Sequence, residues 1–168
     1  MVQSEMTVNL NGIHAKLLAE SGYTTRSRQA LGAPDEVTES MLMTDDEKRI
    51  LESWVRSALN EAAHTIGQHF GQCSVKRLAT DGEEDKRYII SFPRPHNYPV
   101  AAIEQLKECV TELAIATAQQ QWSMTVKPDE ANIAAVRVQQ ARALMKGILT
   151  MRTRPSKGNI PTDNVIEL

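Results

Sequence analysis

The 168 residues are 41% apolar and carry a formal net charge of −2. That suffices to bury one core, and it is too balanced for a disordered acidic chain or a globally basic nucleic-acid binder. Cys73 and Cys109 match no CxxC or zinc spacing, which points to reduced thiols in a cytosolic protein. No apolar run approaches the ~20 residues that span a bilayer, and the N-terminus, with Glu5, lacks a hydrophobic signal core, so no membrane association is expected.

Residues 1–43 look least like scaffold. A short strand from Met6 to Leu10 precedes one or two amphipathic turns carrying Ile13, Leu17 and Leu18, and Gly22 ends that helix. Tyr23 to Ser40 then reads as a loop, with limited helix around Arg26 to Leu31. Thr44-Asp45-Asp46-Glu47 is a capping box, in which the threonine hydroxyl and Glu47 satisfy the first backbone N–H groups. Behind it Ile50, Leu51, Trp54, Val55, Ala58, Leu59, Ala62, Ile66 and Phe70 recur at helical spacing, and Gly71 closes the run. Cys73 to Ala79 and Arg87 to Phe92 form a β-hairpin around Asp81-Gly82, with Tyr88, Ile90 and Phe92 on one face.

A second long helix starts at Pro99 and keeps a three-four rhythm through Ile103, Leu106, Val110 and Leu113. The third starts near Pro128 and runs to about Arg152, where Pro155 stops it. Its apolar arc is wide: Ile133, Val136, Leu144, Ile148 and Met151 share one face, and Val138, Met145 and Leu149 broaden it, as in a helix that is central or touched on two sides. Ser156 to Leu168 reads as an extended arm. The expected fold is mainly α: a helical bundle of three long helices near 45–70, 99–122 and 128–152, one β-hairpin insertion at 73–92, and an extended C-terminal arm. The organisation is an N-terminal segment 1–43 with a short helix and loop, a helical domain 44–155 and an arm 156–168. Leu51, Trp54, Val55, Leu59, Ile103, Leu106, Val110, Leu113, Leu144 and Ile148 are the expected core.

Motifs that carry chemistry are missing. His64 and His69 are five apart and miss the i, i+4 face of a zinc helix, while His14 and His96 have no local partner. Gly67 to Gly71 lacks the lysine and hydroxyl of a phosphate loop, and Glu83-Glu84-Asp85 lacks the alternation of a calcium loop. No nucleophile elbow is present. Neither catalytic residues, metal ligands nor a cofactor are expected, and binding and assembly is the expected kind of function.

Charge is distributed unevenly. Seven acids and two bases lie between Asp35 and Glu52, whereas seven bases and two acids lie between Lys127 and Lys157. Solvated faces and helix dipoles account for part of this, and complementary surfaces between neighbouring copies for the sharper reading. Arg142, Lys146, Arg152, Arg154 and Lys157 are the candidates for a subunit interface or for lining a DNA channel. With 4% aromatic residues and no recognisable reading module, sequence-specific DNA binding is the minority reading.

Helices separated by a hairpin, a Phe92-Pro93 turn, Trp122 shortly before Pro128, a final helix ending Arg152-Thr153-Arg154-Pro155 and an extended arm together make a loose architectural pattern over most of residues 44–168. In it the chain resembles the head-to-tail connector, or adaptor, proteins of tailed bacteriophages, those of Bacteroides-like hosts in particular. The resemblance implies a structural, non-enzymatic subunit of the virion, assembled in the host cytoplasm. It further implies a ring of identical copies beneath the portal, joined to portal and tail proteins, with DNA passing through unread. The arm, through Val165, Ile166 and Leu168, would then bind a partner by adding a strand to its edge. The alternative is a cytosolic helical regulator that binds a protein or DNA.

Overall fold

The computed structural model describes residues 1–32, 47–78, 86–126 and 128–152. Thr44, Asp45 and Asp46 of the expected capping box, the hairpin tip and the C-terminal arm lie outside the described residues. The described chain is mainly helical, with a small three-stranded antiparallel sheet. In chain order its elements are β1 (Val2–Asn9), α1 (Leu10–Ala30), α2 (Lys48–Phe70), β2 (Ser74–Leu78), β3 (Arg87–Arg94), α3 (Ala101–Val126) and α4 (Pro128–Leu149).

The expected hairpin strands do pair, Val75 opposite Ile90, but β3 is the middle strand of a sheet ordered β1-β3-β2. The N-terminal strand supplies the third member, with Met6 opposite Ile90 and Val8 opposite Tyr88. Both strands alternate strictly, so Met6, Val8, Tyr88, Ile90 and Phe92 all turn to the core. Pro93 does not make a turn: it lies within β3, opposite Gln3. Pairing with β2 stops at Ser91, and beyond it β3 is effectively an edge, where a missing N–H is tolerated.

The sheet leads directly into α1. Asn9 caps it, its Oδ1 accepting from the N–H groups of Asn11 at 2.9 Å and Gly12 at 3.3 Å. The helix does not end at Gly22 but continues to Ala30, and Leu10, Ile13 and Leu17 on its first turns are core residues. A glycine within a helix costs about 1 kcal/mol, less than propagation from a packed and capped first half can sustain. Residues 1–32 are therefore part of the scaffold.

Helix α2 begins at Lys48 with Glu47 as N-cap and no side-chain capping bond. It buries Leu51, Val55, Leu59, Ile66 and Phe70, and it ends at Gly71, whose φ of 95° is the left-handed conformation open to glycine. Phe70 then stacks on Phe92 at 5.7 Å and meets Tyr98 edge-on at 4.9 Å, fastening helix to sheet. Trp54, Ile103 and Ile148 are only partly buried, packing against the core from its margin.

The central helix is α3, where four consecutive residues, Leu113, Ala114, Ile115 and Ala116, are all buried. Helix α4 is not central. It sits on α3 through Ala131, Ala134, Val138, Ala141, Met145 and Leu149, a stripe built largely of small residues. Leu144, expected in the core, is 64% exposed. Alanines permit a close helix–helix approach, so the alanine-bearing stripe faces inward and the bulkier aliphatic stripe is turned out.

Candidate interaction surface

One helix turn relates Ile133 to Val136; beyond Arg137 and Gln140 on the same side of α4 come Leu144 and Ile148, and Met151 follows just past the helix's last residue, Leu149. Ile133 is 69% and Val136 56% exposed, and together with Leu144 and Met151 they leave an apolar stripe open to water. Single exposed aliphatics are ordinary, whereas a row of them along one helix face marks a surface that something covers. The lower part of the row opens into a groove of 730 Å³ between α3 and α4, walled by Leu144, Ile148 and Met151. Cys109 and Ala141 form its floor, where the thiol donates to the Ala141 carbonyl at 3.1 Å. Burial pushes the Cys109 thiol up, as does the nearby charge of Glu112.

Beside the groove Arg137 ties three helices together. It donates to Glu20 of α1 at 3.2 Å, to Gln119 of α3 at 2.5 Å, and to Glu112 of α3. Burial pulls its guanidinium down, and the hydrogen bonds and charges of Glu112 and Glu20 more than offset that. Arg142 makes a two-pronged contact with Glu61 of α2, at 2.5 and 2.8 Å, which holds its pKa above the ordinary value. Arg152 lies 5.9 and 6.0 Å from the ring centres of Phe70 and Tyr98 and donates to the Leu149 and Met151 carbonyls.

Only three of the five candidate basic residues are among the described ones. Arg142 and Arg152 are engaged within the fold, Lys146 is exposed on α4, and Arg154 and Lys157 lie outside the described residues, as do Val165, Ile166 and Leu168 of the arm. Two of the bases in the C-terminal third, Arg137 and Arg142, answer carboxylates on other helices. Charge alone does not reveal this, because Glu20, Glu61 and Glu112 are remote in sequence from their arginines.

Other polar clusters brace the fold. Glu52 of α2 receives Lys86 at 3.1 Å, Arg77 at 3.0 Å and the Tyr88 hydroxyl at 3.4 Å, linking helix to sheet. His64 contacts Gln68, His69 contacts the Thr65 carbonyl, His96 contacts the Met1 amino group, and His14 is buried on α1. Cys73 borders a hollow with His64 and Gln68, but burial raises its thiol even though the Ser74 backbone acts the other way. Among the described residues no three His, Cys, Asp or Glu side chains converge to hold a metal, and no described helix is long and apolar enough to cross a membrane.

The outward stripe was visible in the sequence as half of a wide apolar arc; its orientation was not. The usable signal was Ala131, Ala134 and Ala141, which mark the side where backbones approach. Comparison with protein-family models, curated proteins and solved structures finds no match to this chain.

Proposed function

We propose that the chain is an assembly subunit, a component of a head-to-tail connector ring that joins a portal to a tail around a DNA channel. The observation that carries the assembly reading is the row of exposed aliphatic residues along α4. Burying such side chains against another subunit contributes ~1.5 to 3 kcal/mol each when complete, so four of them supply the apolar centre of a standard interface. In this reading α2, α3 and α4 form the bundle that stands in the ring, and the hairpin and C-terminal arm reach its neighbours. Lys146, with Arg154 and Lys157, is then the basic character left for a subunit boundary or for DNA passing through. The ring itself rests on the architectural resemblance and on the rule that a heterologous contact which closes makes a cyclic oligomer.

The alternative is a helical regulator that binds one protein through the same face. Electron microscopy and native mass of the full chain mixed with candidate portal proteins separate the two. Closed rings seated on the portal support the connector, and a stable one-to-one complex with another protein supports the regulator.

A further inference from the structure

The outward row of α4 is spaced symmetrically about one residue. Ile133 and Gly147 each stand seven positions from Gln140, and Val136 and Leu144 each stand four. Steps of four and seven return to the same side of a helix, and all five residues are exposed. Bulk is distributed unequally along the row. Ile133 projects at one end, whereas at Gly147 an added Cβ would meet nothing within 4 Å, with Leu144 and Ile148 on the groove side of that opening. Charge does not break the row: Arg137, beside its centre, is engaged by Glu20 and Glu112 of its own copy. Lys146 lies ~120° round the helix from Gln140.

We infer that the row is covered by α4 of a second copy, running antiparallel about a two-fold axis at Gln140. Turned end for end, the row sets Ile133 over Gly147 and Val136 against Leu144, once on each side of the axis. Gln140 then meets its own copy, and each side-chain amide can donate its N–H and accept at its carbonyl. A parallel pair would stack Ile133 on Ile133, leave Gly147 facing Gly147 and align the two helix dipoles. The contact is isologous, so it stops at two copies. The 22 residues of α4 span ~33 Å, and a strip ~10 Å wide covers ~330 Å² of each copy, below the ~800 Å² of a standard interface. The pair is therefore weak: it covers the row while the chain is alone and yields it to a ring contact. This pairing rests on the assembly reading and adds to it a partner, a direction and a register.

The test is disulfide trapping, under mild oxidation, of full-length chains carrying Gln140→Cys, Val136→Cys or Leu144→Cys. It is done at a concentration where the natural chain is dimeric by sedimentation, and the natural chain, with Cys73 and Cys109, sets the background. Gln140 and its copy face each other within disulfide reach, whereas Val136 and its copy lie ~12 Å apart along the axes. Gln140→Cys should therefore link to itself at least about ten-fold more than Val136→Cys does, and Val136→Cys mixed with Leu144→Cys should link as well as Gln140→Cys. Dimers that link at neither combination overturn the pairing. So do dimers in which Val136→Cys links to itself as readily as Gln140→Cys, the mark of a parallel pair. Either result leaves the assembly reading standing. A natural chain that stays monomeric at every concentration overturns the pairing together with the self-association on which it rests.

Discussion

Arg137 and Arg142 both sit on α4 and are both about one-third exposed, yet they differ in what they hold. Arg137 joins α1, α3 and α4, and Arg142 makes a single pair with Glu61. Solvent screening limits each contact, so Arg142→Ala should cost below about 1 kcal/mol in urea denaturation, and Arg137→Ala, which removes the cation that Glu20 and Glu112 share and leaves them Gln119 and Lys16, about 1 to 2 kcal/mol. Gly71→Ala should cost a further ~1 kcal/mol, because φ of 95° forces the new Cβ into a left-handed conformation. Gly71 was legible from sequence as a helix stop; Arg137 as a hub was not, since nothing local marks an arginine whose partners come from two distant helices.

Titration adds a pH signature at the same scale. Burial raises the thiols of Cys73 and Cys109 and the phenols of Tyr88 and Tyr98. The folded chain then keeps these protons at pH values where the unfolded chain releases them. Their contribution is complete below the unfolded values, about 8.5 for thiols and about 10 for phenols, and is lost as pH rises from each of these toward the raised folded value. Stability should therefore decline across that alkaline window, with a smaller decline in a Cys73→Ser/Cys109→Ala variant. Urea midpoints that stay level across it would contradict the assignment.

At the scale of elements, α3 and α4 make opposite use of leucine. Leu106 is fully buried, and Leu106→Ala should cost ~2 to 5 kcal/mol; Leu144→Ala, on the open side of α4, should change stability by less than about 0.5 kcal/mol. Equal costs at the two sites, measured by thermal or urea unfolding, would mean that α4 is turned the other way. Period-3.6 patterning located α2, α3 and α4 within a few residues, and period-2 patterning placed Tyr88, Ile90 and Phe92 on one face. It failed where two apolar stripes compete for one core, as on α4, and where a strand pairs with a segment some eighty residues away, as β1 does with β3. Helix α1 was read too short because Gly22 weighs heavily in a local count, while its Asn9 cap and the burial of Leu10, Ile13 and Leu17 outweigh it in the fold.

Among the described residues, α1, α2, α3, the sheet and the inner stripe of α4, Val138, Ala141, Met145 and Leu149, share one core, and α4 presents a second stripe outward. An exposed aliphatic row on an otherwise well-packed protein is a liability unless it has a partner, which is why it bears the functional reading. The substitutions that test it are Ile133→Lys and Val136→Lys together, at positions exposed enough that lysine should change stability by less than about 0.5 kcal/mol each. Sedimentation velocity of the full chain over a wide concentration range, beside this double variant, is the most direct measurement. The account predicts concentration-dependent association of the natural sequence, and a variant that stays monomeric with the same helicity and melting temperature. Identical masses for the two proteins at every concentration would contradict it.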